Sequence, residues 1–420
     1  MAVALTAEAV ARQSYGKLVA YLAARTHDVA GAEDALSEAF VAALERWPQA
    51  GIPREPEAWL LAVARRKLMD AARHRRVVDE AVPALELLAQ GLEPWDGGGI
   101  PDPRLQLMFA CAHPEIDAEV RAPLMLQTVL GFDAATIASA FLVAPATMSQ
   151  RLVRAKQRIR QAGIPFEVPE HRQLAGRLEA VLEAIYATYA AGWADPAGTE
   201  ARTRGLAEEG IWLGRLVASL LPQEAEALGL LALMLHAEAR RPARRDAEGN
   251  FVPLAEQDPA SWNLPMVEEA EEVLFTASRL SAPGRFQLEA AVQSVHAARR
   301  VAGRTDWAAI LLLYDGLLAL GGSLVVAINR AVAVAEFRGG AEGAAAGLAA
   351  LEPLAAEPQL ATYQPYWAAR AALLLRTGRA EEACEAYRRA IGLEADPAVR
   401  RFLQAEHERA ARLGPGPPSP

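Results

Sequence analysis

Alanine, leucine, glutamate and arginine recur at 3.6-residue spacing along almost the whole chain, and alternating runs of β-branched residues are missing. A half-buried sheet needs a period of two, so this pattern leaves helix packed on helix as the architecture. The expected fold class is all-α. Breaks fall where proline and glycine gather, at 48–56, 91–103, 163–169, 241–265, 281–284 and 352–365. Both residues resist continuing a helix, so these stretches mark the ends of helical segments.

A length of 420 residues allows about three domains. The strongest linker signal is Gly97-Gly98-Gly99 between Pro94 and Pro101, and a second boundary falls at Gly163-Ile164-Pro165. The expected division is a helical domain at 1–80, a linker at 81–101, a second helical domain at 102–165 and a helical extension at 166–280. Helical repeats at 281–413 and a disordered GPGPPSP tail at 414–420 complete it. The repeat rests on RGGAEGA and TGRAEEA, in which Gly339, Ala341, Glu342 and Ala344 align with Gly378, Ala380, Glu381 and Ala383. The offset of 39 residues exceeds the tetratricopeptide period of about 34, and the extra length is expected in the loop EPQLATYQP. The later unit fits that repeat better, with Ala371, Gly378, Ala383, Tyr387 and Ala390 in a small-small-aromatic-small pattern, although Pro397 stands two residues out of place.

The net charge is −9, which excludes a cationic wrapper of nucleic acid, but the charge is unevenly placed. Arg65, Arg66, Lys67, Arg73, Arg75 and Arg76 crowd one stretch, and Arg151, Arg154, Lys156, Arg158 and Arg160 another. A single basic run is as often a solvated helix face. Two of them, each closing a small helical domain, point to nucleic-acid contacts by specific patches. The two cysteines, Cys111 and Cys384, are too far apart in sequence for a disulfide framework or a paired metal motif. A reducing, cytoplasmic location is expected. The N-terminus lacks the basic region and unbroken apolar run of a secretion signal. Asp315, Asn329 and Arg330 interrupt the most apolar stretch, 310–335, which reads as buried helices rather than a membrane span.

Catalytic patterns are scarce. The chain holds no GxGxxG opening a βαβ unit, no GxxxxGK[ST], no HExxH and no GxSxG, and its seven histidines are not at metal-ligand spacing. No catalytic residue, metal or cofactor is expected, and an enzyme is the least favoured class.

Residues 132–160 read instead as two helices across a short turn. Ala134–Phe141 forms the first, 142–144 the turn, and Pro145 stands at the first position of the second, where its missing N–H has no partner to lose. Met148, Leu152, Ala155 and Ile159 make an inward stripe, while Thr147, Gln150, Arg154 and Arg158 share a neighbouring face. A recognition helix needs an apolar anchor and long donors beside it; an amphipathic surface helix is the plainer reading. In the first domain Asp28, Glu33, Asp34 and Glu38 give an acidic helix start, followed by Phe40, Leu44 and Trp47. A proline-bounded loop at 48–56 then leads to a helix with Arg66, Asp70 and Arg73 on one face.

In their order, AGAEDALSEAFVAALERWP (Ala30–Pro48) and EPEAWLLAVARRKLMDAARHRR (Glu55–Arg76) resemble region 2 of bacterial RNA polymerase sigma factors of the extracytoplasmic-function (ECF) subfamily. TIASAFLVAPATMSQRLVRAKQRIR (Thr136–Arg160) resembles region 4, with Phe141-Leu142 where many members carry Leu-Gly. That departure, FACAHPEI (Phe109–Ile116), Leu235–Asp258 and INRAVAVAE (Ile328–Glu336) point to the subgroup with a tetratricopeptide-like C-terminal extension. The resemblance implies core RNA polymerase, through its β′ clamp and β flap, and promoter DNA as partners. Asp34, Glu38 and Phe40 would dock on the clamp. Arg54, Arg65, Arg66 and Arg73 would serve the melted −10 element, and Thr147, Gln150, Arg151, Arg154 and Arg158 the −35 element. An extension of this mass implies an intramolecular or separate protein partner that controls access to polymerase, or a passive platform. A non-sigma helix-turn-helix regulator with a helical-repeat sensor is the alternative, and the acidic helix discriminates, because a repressor needs no clamp surface.

Overall fold

The structure, a computed structural model, describes residues 2–76, 103–141, 143–193, 205–280, 283–321 and 323–413. The expected linker at 81–101, the tail at 414–420, Leu142 in the short turn and the side chain of Arg73 lie outside the described residues. The fold is all-α: among the described residues the one extended pairing is an isolated bridge between Arg245 and Phe251. The chain divides into two compact units, Met1–Leu220 and Leu221–Pro420.

The first unit opens with α1 (Ala2–Thr26), α2 (Val29–Ala50) and α3 (Pro56–Arg76). Leu18, Leu22, Leu36, Ala39, Ala43, Trp47, Leu60, Ala64 and Leu68 fill the core between them. Each set recurs at three- and four-residue steps, which is why one face of each helix turns inward. Asp28 caps α2 by accepting from the Gly31 N–H at 3.0 Å. The loop was expected to begin at Pro48, yet α2 runs on to Ala50. Proline there removes one backbone donor in the last turn only, and Gly51, at φ 84°, closes the helix by donating to the Trp47 carbonyl.

Four further helices follow: α4 (Arg104–Cys111), α5 (Ala118–Thr128), the short α6 (Ala134–Ala140) and α7 (Pro145–Gln161). Asp133 starts α6 by accepting from the Ala135 and Thr136 N–H groups, both at 2.9 Å. Pro145 occupies the first turn of α7, and Met148, Leu152, Ala155 and Ile159 are buried as an inward stripe. The two lobes meet closely. A Cβ on Gly16 would lie 1.9 Å from the Val129 carbonyl oxygen, and one on Gly131 3.0 Å from the Tyr15 ring; only glycine permits such an approach. Helices α8 (His171–Trp193) and α9 (Leu206–Leu220) pack within the same unit. Arg177 of α8 donates to the Phe109 carbonyl at 3.0 Å, so the first part of the expected extension is anchored on α4.

The second unit is a succession of helices: α10 (Ala225–Ala239), α11 (Leu264–Ser278), α12 (Arg285–Ala302), α13 (Trp307–Ala319), α14 (Leu324–Arg338), α15 (Gly340–Leu351), α16 (Gln364–Arg376), α17 (Ala380–Leu393) and α18 (Pro397–Leu413); α10 packs on both α11 and α12, and from α12 onward each helix packs on the next. Glu226 of α10 caps α12 by accepting from the Phe286 and Gln287 N–H groups at 2.9 and 3.0 Å. The aligned glycines Gly339 and Gly378 both stand between paired helices at positive φ, 73° and 81°. A Cβ on Gly343 would lie 2.4 Å from the Ala335 carbonyl, so α14 and α15 are in backbone contact. The extra length between the two aligned segments forms two 3-10 turns, Glu352–Ala356 and Pro358–Thr362. The apolar stretch 310–335, expected to be buried, is buried on one side only. Ile310 and Leu317 are enclosed, whereas Leu312 is 72% exposed, because α13 packs on α12 and α14 alone among the elements it meets extensively. Among the described residues no helix is long and apolar enough to cross a membrane.

Candidate nucleic-acid interface

Helix α2 carries acid on its outer side. Asp34 and Glu38, one turn apart, are exposed, and Phe40 is half-buried. Val41 and Leu44 continue this surface, 56% and 49% exposed. Apolar side chains beside carboxylates on one helix suit a protein partner, since the apolar area supplies affinity and the charges supply register. Sequence reasoning had counted Leu44 among residues following the acidic face and had not singled out Val41. The signal available was their spacing from Glu38, which places them off the buried stripe of Leu36, Ala39 and Ala43.

Helix α3 lies against α2 and presents base. Arg66 is exposed, as is Arg54 in the loop before the helix. Lys67 pairs with Glu38 at 2.7 Å, tying the basic helix to the acidic one. Arg65 is partly enclosed: it donates to the Tyr21 hydroxyl at 2.6 Å, and its guanidinium lies 5.4 Å from that ring, which Arg25 also covers at 3.6 Å. Arg65 is therefore held in place by α1, while Arg54 and Arg66 are exposed and form no ion pair among the described residues.

Helix α7 has two polar sides. On the outer one, Thr147, Gln150 and Arg154 are exposed, and Arg154 has no ion pair among the described residues. Arg151 is engaged by Glu119 of α5 at 3.2 Å and Arg158 by Glu115 just before that helix, both within the same lobe as α7. On the other side Lys156 and Arg160 turn to α2. Arg160 reaches Asp28 at 3.6 Å. Lys156 pairs with Glu33, each side chain only 11% exposed. Burial pushes the Glu33 carboxyl above the usual carboxylate range, and the Lys156 charge opposes that rise. The same burial, with the charges of Glu33 and Asp34, raises the Tyr15 phenol. Sequence reasoning counted Glu33 with Asp28, Asp34 and Glu38 in one acidic helix start. No local signal marks it, because its partner stands 123 positions away.

No group of acidic, histidine or cysteine side chains suited to a metal ion occurs among the described residues. Cys111 is fully buried beside Thr128, with its thiol pushed up to about 12 by burial. The arrangement offers charge, donors and apolar contact on the surfaces of α2, α3 and α7.

Comparison with known proteins agrees. Residues 10–77, which take in most of α1 and all of α2 and α3, match the model of sigma-70 region 2. Residues 177–278 match a family of unknown function, DUF6596. The uncharacterized protein R00370 of Rhizobium meliloti (strain 1021) is 39% identical over 406 residues, covering 95% of this chain and 93% of that protein. No solved structure matches the chain.

Proposed function

The chain belongs to the family of the uncharacterized protein R00370 of Rhizobium meliloti (strain 1021), and we propose that it is a sigma factor of the extracytoplasmic-function type that brings core RNA polymerase to promoters. The observation that carries this reading is the sigma-70 region 2 match at 10–77, which takes in the acidic-apolar face of α2, the exposed Arg54 of the loop and the exposed Arg66 of α3. Asp34, Glu38 and Phe40 then dock on the β′ clamp. Arg54, Arg65, Arg66 and Arg73 hold the melted −10 strand, where basic side chains track phosphates and an extruded base in a pocket offsets its unstacking. The α6–turn–α7 lobe acts as region 4, with Thr147, Gln150, Arg151, Arg154 and Arg158 at the −35 element. The exposed row Thr147, Gln150 and Arg154 supports this, because donors on one helix face are what the major groove accepts.

Promoter binding has a geometric requirement. Elements about 25 base pairs apart lie roughly 85 Å apart, at about 3.4 Å per base pair. Helices α3 and α7 both pack on α2, which places their axes within about 20 Å of each other, at 8–10 Å per packed pair. On this reading the α1–α3 and α4–α7 lobes separate before both elements are read, and Lys156–Glu33 is one contact that must part. The extension from residue 221 onward acts as a helical-repeat regulatory platform of tetratricopeptide type. Its helices from α12 onward, each packed on the next, support this, since such stacks expose broad surfaces for protein partners.

In vitro transcription with purified core enzyme and a fragmented genomic pool tests the proposal. Promoter-dependent initiation that requires this protein is the expected result; its absence with every fragment refutes the reading. Removal of residues 221–420, which spares α8 and α9 on the first unit, tests the regulatory role: unchanged initiation and polymerase affinity would exclude it.

A further inference from the structure

The second unit holds a cleft of 1080 Å³, formed by the loop at 254–260, the C-terminal end of α12 and the facing parts of α13 and α14. Among the side chains that line it are Gln257, His296, Arg299, Arg300, Arg304 and Trp307. Two of them are buried with polar atoms unused. Gln257 is 6% exposed; its amide donates to the Val252 carbonyl at 3.2 Å, while Oε1 has no partner. His296 is 9% exposed and stands edge-on to Trp307, with ring centroids 5.5 Å apart, and its Nδ1 has no partner. Both atoms are also closed to solvent, so they lie beneath the surface of the cleft and do not open into it.

The charge around the cleft is positive. Arg299 is committed to structure: it donates to the Gln257 carbonyl at 2.7 Å and lies over the Trp262 ring at 5.1 Å, which holds the 254–260 loop in place. Arg300 and Arg304 are exposed and form no ion pair among the described residues. Gly303, in the left-handed region at φ 70°, ends α12 between them. The lining carboxylates reduce this charge without cancelling it: Glu336 is already paired with Arg376, and Asp258, which accepts from the Ala260 N–H at 3.0 Å, offsets one arginine of the three. Arginines at a helix C-terminus also complement the helix dipole. That effect accounts for their position, but not for the cleft they stand beside.

We infer that this cleft binds a small organic anion. Arg300 and Arg304 take the anionic group, and the apolar body lies against Trp307. The volume accommodates a ligand of nucleoside-monophosphate size, since small-molecule pockets run from about 300 to 1,000 Å³. Burial lowers the His296 imidazole to about 4, with Arg240 and Arg299 adding to the fall. The ring is therefore neutral near pH 7 and offers a donor or an acceptor, not a fixed charge. This site is independent of the polymerase reading.

The test is a titration of the full chain, followed by calorimetry and by tryptophan fluorescence. The probes are 4-aminobenzoate and guanosine 5′-monophosphate, their neutral counterparts 4-aminobenzamide and guanosine, and inorganic phosphate. The two anions separate a carboxylate from a phosphate ligand. The expected result is saturable binding of at least one organic anion below about 1 mM, with its neutral counterpart and inorganic phosphate at least about tenfold weaker. Arg300→Ala with Arg304→Ala, both exposed positions, should weaken that binding about tenfold or more without altering the thermal transition. Binding by none of the anions, equal binding of the neutral counterparts, equal binding of inorganic phosphate, or an unchanged affinity in the double variant would each overturn the inference.

Discussion

Replacing Lys156 with methionine removes the ammonium opposite Glu33 while keeping most of the side chain's volume. Both groups are 11% exposed, and Glu33 Oε1 already has no partner, so the variant leaves a buried carboxylate unpaired. Breaking a buried pair from one side costs about 3–5 kcal/mol. For a unit of this size 1 kcal/mol shifts the transition by about 2–4 °C, so a fall of about 6–20 °C is expected. The cost cannot exceed what holds the two lobes together; beyond that they part, and the radius of gyration rises instead. Differential scanning calorimetry and small-angle scattering on the full chain read both outcomes.

The variant also has a defined pH dependence. The Glu33 carboxyl is already raised by burial, and loss of Lys156 removes the charge that opposed the rise. A carboxyl raised in the folded state contributes stability below its unfolded pKa, and that contribution is lost as pH rises through the folded pKa. The deficit of Lys156→Met should therefore be larger at about pH 8 than at about pH 5. Glu33→Leu combined with Lys156→Met, an apolar pair of similar size, should recover most of the loss. If Lys156→Met neither lowers the transition nor expands the protein, or if its deficit grows on acidification, the account of α7 docking on α2 is wrong.

Three further outcomes are expected. Arg154→Ala should weaken promoter-fragment binding by about 1–3 kcal/mol in a titration at fixed salt, with the thermal transition unchanged because the side chain is exposed and unpaired among the described residues. Asp34→Ala should reduce core polymerase affinity in a pull-down or calorimetric titration and leave folding intact; parent-like affinity would remove Asp34 from the docking surface. Cys111 should resist a thiol reagent at about pH 8 in the folded protein and react on denaturation, since its thiol is held near 12 by burial while an exposed cysteine titrates at about 8.5.

The helices were legible because helical periodicity is local. The stripe Met148, Leu152, Ala155 and Ile159 and the proline that opens α7 are both readable within one short segment, and both stand as expected. The positive-φ glycines Gly339 and Gly378 were visible as punctuation for the same reason. What the chain order could not express is which charges meet. Glu33 reads as one more acidic residue on an acidic helix, and its burial exists only because α7 arrives from 123 positions away with Lys156. Arg65 looks the same as Arg66 in sequence, yet Tyr21 on α1 claims one and leaves the other free. The cleft around Gln257 and His296 joins a loop and three helices that share no motif. In each case the deciding quantity is desolvation. It depends on what is packed above a side chain, and no residue carries that information in its own neighbourhood.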